Sequence, residues 1–177
     1  MAERAIITYG NPILAQRAAL VVTLDAPILT LVDDLFATMA SARGLGLAAP
    51  QVAELTRVIV IDPTVVGEAG ARALALINPE VLEYAGAEMF EEGCLSVPGI
   101  YAEIRRPERV LVRYRDVEDR EHEEEFAGLM ARVIQHEIDH LDGTLFIDRL
   151  SRMRRALLIK KLRQSGSAGD DSHAAML

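Results

Sequence analysis

One cysteine, Cys94, stands among 177 residues, so no intrachain disulfide can staple the chain, which suits a reducing compartment. Long apolar runs are missing too. No stretch approaches the roughly 20 apolar residues that span a bilayer, and the N-terminal Met1–Thr8 carries neither an apolar core nor a cleavage signature. No membrane partner is expected, and the chain reads as cytoplasmic. Basic residues are outnumbered, with 19 Lys and Arg against 27 Asp and Glu and a formal charge of −8. Nothing global therefore advertises binding of free nucleic acid, and any basic contact must be local. Repeats and a second domain are also lacking. What is present, 50% hydrophobic and 26% charged residues, suits one domain with a full core.

The pattern along the chain predicts an α+β fold of mostly antiparallel strands packed around a central helix, flanked by an N-terminal and a C-terminal helix. Asp25-Ala26-Pro27 opens a helix to about Arg43: Asp can cap and Pro suits the first turn. Ile28, Leu31, Val32, Leu35, Phe36 and Met39 recur there at helical spacing, and Gly44 is the expected stop. Extended runs follow at 57–62, 73–78, 81–89, 101–104 and 110–115, with Pro63, Gly67, Gly70, Pro79, Gly86, Pro107 and Asp119 marking turns. A second helix spans about Gly128 to Leu141, with Gly143 just past its end. It is apolar on several sides and so expected to be buried among strands. Ser151 begins a third helix at about 151–164. Residues 1–165 form the expected catalytic domain, and 166–177 an expected disordered polar tail.

The second helix carries Gln135-His136-Glu137-Ile138-Asp139-His140-Leu141-Asp142-Gly143, an HExxH pattern. At 3.6 residues per turn, His136 and His140 point from one face and can bind one ion, while Glu137 lies beside them and can reach a coordinated water. A catalytic ion usually takes three protein ligands and leaves one position open. Downstream of His140 there is no glutamate, only His173 and the acids Asp142, Asp148, Asp170 and Asp171. Upstream stands Cys94, inside Glu91-Glu92-Gly93-Cys94-Leu95-Ser96-Val97-Pro98-Gly99, where glycines and proline argue for an irregular turn. A lone cysteine is more often a small buried hydrophobe, but a thiolate there makes a good third ligand. Gly44-Leu45-Gly46-Leu47-Ala48-Ala49-Pro50-Gln51 is rich in small residues and reads as a loop that can line a cleft in which an extended peptide pairs with main-chain groups. On these residues alone two further readings stay open: another HExxH amidase or peptidase, and a non-catalytic structural metal module, although structural sites usually close with four protein ligands.

The three segments 44–51, 92–98 and 135–143, in this order and at these separations, resemble the three motifs of the peptide deformylases, and the resemblance covers roughly residues 5–150. It implies that Cys94, His136 and His140 bind the ion, that Glu137 handles protons, and that Gln51 and the backbone N–H of Leu95 hold the formyl oxygen. The implied reaction removes the formyl group from the initiator formylmethionine of nascent polypeptides and releases formate. The implied ion is Fe²⁺, with nickel, cobalt or zinc able to occupy the site, whereas a Cys/His₂/water set by ligand type suits zinc. One departure is Tyr101: many bacterial members carry arginine there, so the resemblance does not carry over a contact to the substrate backbone at that place.

Leu129 and Val133 precede His136 by seven and three residues and share roughly its helix face. With Leu45 and Gly46 across the cleft they can line an apolar pocket for methionine, plain core packing being the alternative. Arg132 is expected to be solvated or to support the site from outside it. His122, amid Glu121, Glu123, Glu124 and Glu125, is expected on a solvated surface. Residues 151–164 hold six basic side chains and no acid. Such a helix can seek RNA phosphate, so the ribosome near the nascent-chain exit is a candidate partner; an amphipathic helix packing Leu158 and Leu162 is the simpler alternative.

Overall fold

The computed structural model describes residues 1–62, 64 and 74–165, and among these described residues seven antiparallel strands and three α-helices make up most of the structure. The strands β1 (Gly46–Ala48), β2 (Val58–Ile61), β3 (Leu74–Ala85), β6 (Arg109–Arg115) and β7 (Glu121–Ala127) form one sheet in the order β1-β2-β3-β6-β7. Two more, β4 (Glu88–Cys94) and β5 (Val97–Arg106), form a separate hairpin. The helices are α1 (Ala26–Ala42), α2 (Gly128–Leu141) and α3 (Arg152–Ser165).

Strand alternation explains how the layers stack. Ile59 and Ile61 of β2 point to the face that also carries Leu76, Val110, Val112 and Phe126, and α2 packs there through Met130, Val133, Ile134, Ile138 and Leu141. Val58 and Val60 point to the opposite face and meet Leu31, Val32, Leu35 and Met39 of α1. A strand buried on both faces has no polar alternation, which is why Val-Ile-Val-Ile reads as a continuous apolar run. Each such side chain contributes roughly 1.5–3 kcal/mol relative to its exposed state. The β4–β5 hairpin makes a third core, in which Cys94, Val97, Ile100 and Ile104 pack on Leu145, Phe146 and Ile147, with Leu158, Ile159 and Leu162 of α3 against them.

Helix α1 begins as expected. Asp25 caps it by accepting from the Ile28 amide at 3.2 Å, with proline in the first turn. Its end differs: the left-handed residue is Arg43 (φ 56°), while Gly44 follows and packs so closely that a Cβ would lie 2.9 Å from Leu95 Cδ1.

The strand pattern differs in three places. Pro79 does not separate two strands, because β3 runs through it. The irregularity between Ile77 and Glu80 is absorbed by Asn78 (φ 54°), whose side-chain amide donates to Val21 O and accepts from Val21 N, both at 2.8 Å. The run expected over 81–89 divides at Gly86 (φ 68°), where β3 turns toward β4. The small-residue segment 46–48 is a strand paired to β2, not a loop. The acidic run is the edge strand β7, with Glu121, Glu123, Glu124 and Glu125 exposed, and its charges discourage edge-to-edge pairing. His122, within the same strand, is half-buried, stacked on Tyr114 and 2.8 Å from Asp116.

Ala73, Pro63, Gly67, Gly70 and the tail 166–177 lie outside the described residues. Among the described residues no helix is long and apolar enough to cross a membrane.

Candidate metal centre

The site forms where α2 meets the β4–β5 hairpin. Helix α2 follows β7 without a loop and has no side-chain cap; Gly128 makes the turn with φ 57°, its N–H bonded to Glu108 O at 3.0 Å. A left-handed residue at this junction suits glycine, which has no Cβ to clash. From α2, His136 and His140 point toward Cys94 at the end of β4. One ligand atom from each of the three lies within 4.8 Å of the others, and all three side chains are buried. Cys94 Sγ is 3.2 Å from His140 Nε2, and the two imidazole rings meet edge-on with centroids 5.1 Å apart.

The donor set fits a divalent cation. His136 Nδ1 lies 3.1 Å from Glu92 Oε2. Burial raises the Glu92 carboxyl, but hydrogen bonds from His136 and Arg106 outweigh it and bring it down to about 2. An ionised carboxylate only accepts, so Nδ1 is the donor, and in the neutral ring the lone pair on Nε2 is left for an ion. That Nε2 is buried and has no hydrogen-bond partner among the described residues. Burial holds the His140 imidazole well below its ordinary range, with the nearby His136 and Arg106 adding to it, so it stays neutral as a ligand must. The Cys94 thiol is pushed up by burial and by the charge of Glu137, against hydrogen bonds from the Ser96 and Val97 amides. A thiolate in that place calls for a cation.

Glu137 lies beside the triad with both oxygens buried and without a hydrogen-bond partner. Burial pushes its carboxyl well above the usual range; Arg106 opposes this, while Asp139 and Glu92 reinforce it. Strand β1 passes so close that a Cβ on Gly46 would fall 2.8 Å from Glu137 Oε1 and 2.9 Å from Val133 Cγ1. Only glycine lets the backbone approach the carboxylate this closely. Gln51 is fully buried, in the 3-10 turn Ala49–Val52. Its Oε1 accepts from the Ala48 amide at 2.8 Å, which turns Nε2 toward Ser96 Oγ (3.3 Å) and Cys94 Sγ (3.7 Å). Leu95 is half-buried, next to the cysteine.

The remaining sequence candidates lie close by. Val133 is fully buried and Leu45 nearly so, in one core cluster against which the half-buried Leu129 packs. Arg132 is buried, not solvated: it donates to Glu92 Oε1 at 2.7 Å, and its guanidinium lies 5.3 Å from the centre of the Phe90 ring. The Tyr101 ring covers Gly93, where a Cβ would meet Cε1 at 2.6 Å, and its hydroxyl is buried without a hydrogen-bond partner.

The family model for polypeptide deformylases matches residues 3–156. The chain belongs to the polypeptide deformylase family. These enzymes hydrolyse the N-terminal formyl group of polypeptides and depend on a metal. Among curated relatives, the peptide deformylase of Alkalilimnicola ehrlichii is 48% identical over 163 residues, covering 92% of this chain and 90% of that protein. That of Chlorobaculum parvum is 45% identical over 158 residues, covering 89% and 84%. Solved deformylase structures superpose along nearly the whole length. The Legionella pneumophila enzyme gives a TM-score of 0.86 at 40% identity, over 96% of this chain and all of that one. The Ehrlichia chaffeensis enzyme in complex with actinonin gives 0.86 at 37%, over 93% and 98%.

The motifs taken one at a time do not reveal the groups linked to the candidate ligands by hydrogen bonds or ring contact: Glu92, Arg106, Asp139, Phe146 and Arg149. Phe146 stacks on the His136 ring with centroids 6.0 Å apart. Glu92 and Asp139 sit inside the quoted motifs and were available there. Arg106 and Arg149 have no local sequence signal.

Proposed function

We propose that residues 1–165 form one catalytic domain that removes the formyl group from N-formylmethionyl nascent polypeptides, with Cys94, His136 and His140 holding one Fe²⁺ ion. The family assignment supports iron; zinc, nickel and cobalt fit the same donors. The observation that carries the reading is the Glu137 carboxylate, unpartnered among the described residues, beside three converging donor atoms, one of them a histidine nitrogen likewise without a partner there. A bound divalent ion supplies Lewis-acid activation of water near neutral pH.

The chain's own groups then divide the work. Glu137 accepts a proton from the attacking water and delivers it to the departing amine, so that formamide and water become formate and a free amino terminus. Gln51 Nε2 and the Leu95 N–H donate to the formyl oxygen as charge builds on it; one such donor is typically worth roughly 3 kcal/mol in the barrier. Gln51 needs little reorganisation for this, because the Ala48 amide already fixes its side chain. Leu45, Gly46, Leu129 and Val133 shape the apolar wall for methionine, and the tight approach of Gly46 to Glu137 favours formyl over acetyl on steric grounds. A cytoplasmic location and ribosome docking through α3 complete the proposal. In support of docking, α3 turns Leu158, Ile159 and Leu162 inward while Arg152, Arg154, Lys160, Lys161 and Arg163 are exposed.

The test is formate release from a formyl-Met peptide beside an unformylated control, with metal content measured on the same samples. Formate is expected only from the formylated peptide, and Cys94→Ala should lose most of the metal on dialysis. Undiminished metal in Cys94→Ala removes that ligand, and the absence of formate from the metal-loaded protein refutes the activity.

A further inference from the structure

A continuous line of charged side chains joins the protein surface to the ligand histidine. Arg149, in the 3-10 turn Phe146–Arg149 after α2, is 41% exposed and grips Asp139 with two donors: Nε to Oδ2 and Nη2 to Oδ1, each at 2.6 Å. Asp139 Oδ2 also accepts from Arg106 Nη1 at 2.9 Å. Arg106 is 1% exposed, and its remaining donors take both oxygens of Glu92, Nε to Oε1 at 2.6 Å and Nη2 to Oε2 at 2.9 Å. Glu92 Oε2 in turn holds His136 Nδ1. Each guanidinium engages a carboxylate as a fork, which fixes orientation as well as distance.

We infer that Arg149 is a positioning residue for His136, acting through Asp139, Arg106 and Glu92, so that the turn after α2 sets how tightly the site holds its ion. The inference rests on the proposed metal-ligand reading of Cys94, His136 and His140. Asp139 is on α2 itself, three residues after His136, and it is the only carboxylate joining Arg106 to Arg149 among the described hydrogen bonds. Without the Arg149 fork, Asp139 Oδ1 loses its donor and the carboxylate can rotate about its single contact to Arg106. The rotation is passed on to Glu92. The effect is limited by Arg132, which holds Glu92 Oε1 independently. Removing a group that orients a ligand directly typically costs 10–100-fold in metal affinity, so Arg149, at the far end of the line, should sit near the lower limit.

The test uses the full chain loaded with Co²⁺, reading its release to a chelator and its visible absorption bands, with the thermal midpoint as the control for folding. Arg149→Ala should release Co²⁺ about tenfold faster and shift the bands. Arg149→Lys, which keeps the charge but not the fork, should fall between it and wild type. Arg155→Ala breaks the 2.8 Å ion pair to Asp148 beside the same turn and lies outside the line; it should leave both readouts unchanged. Release and spectra of Arg149→Ala within twofold of wild type overturn the inference, as does full restoration by lysine or an equal effect in Arg155→Ala. Failure of the metal reading is separately visible: the wild-type chain would then not take up Co²⁺ at one equivalent, which overturns both.

Discussion

The helices on the two faces of the five-stranded sheet differ in what they bury. Helix α1 buries Leu31, Val32, Leu35 and Met39, and its one buried acid, Asp34, is paired with Arg4 and accepts a hydrogen bond from the Ala2 amide. Helix α2 packs an apolar side on the sheet too, but its other side buries Arg132, His136, Glu137, Asp139 and His140. Desolvating such groups costs free energy unless each finds a partner. Most do, within the Glu92–Arg106–Asp139 network; the exceptions are His136 Nε2 and both Glu137 oxygens, at the candidate site, and His140 Nδ1, on the side of its ring away from Cys94. The α1 side is thus optimised for stability, whereas the α2 side spends some of it to hold groups in an environment water would not allow.

The sharpest way to break that contrast is Glu137→Gln. A proton carrier is worth about 10²–10⁴-fold in rate, so formate release should fall by that factor. Metal content should persist, and the metal-free protein should lose no stability, since a buried carboxyl without a partner is being removed. Wild-type activity in this variant would end the proton-transfer role, and a large drop in thermal midpoint would mean that Glu137 is structural.

Leu35→Ala on α1 probes the other side. Leu35 is fully buried, and truncation should cost roughly 2–5 kcal/mol in urea unfolding, with kcat/KM of the folded fraction within about twofold of wild type. A metal or rate defect at full folding would show that the two faces are coupled more strongly than their separate cores suggest.

Acid titration sharpens the comparison further. The folded-state pKa of Glu92 is lowered to about 2 from an ordinary 4.5, so its contribution is fully present above about pH 4.5 and is lost as pH falls toward 2. The loss is at most about 3 kcal/mol. Glu137 acts with the opposite sign: its raised pKa favours the folded state at low pH, and that contribution is lost as pH rises above its ordinary range. In the metal-free protein, the unfolding free energy of Glu92→Gln should therefore fall less steeply between pH 5 and 2 than that of wild type. Parallel slopes would place the acid sensitivity elsewhere.

How much was legible in the sequence follows the same division. The α1 cap and stripe, the buried β2 run and the limits of α2 are local patterns whose periodicity survives any tertiary context. The three candidate ligands and Glu137 stand out in the sequence because motif spacing is set by helix geometry and by order along the chain. The continuity of β3 through Pro79 was not, because the left-handed Asn78 is held by Val21, 57 residues away. Nor was the strand at 46–48, whose small residues look like a loop until β2 supplies its hydrogen bonds.

By itself, the sequence determined the α+β class, the order of the motifs and which side chains can bind an ion or carry a proton, because residue chemistry and helical spacing are properties of the chain. Only the tertiary structure decided that Cys94 meets two histidines 42 and 46 positions away, that Gly46 leaves room for Glu137, and that Arg106 and Arg149 reach His136 through two carboxylates. Those relations depend on how β4, β5 and α2 pack, and burial is what gives the charges there their strength.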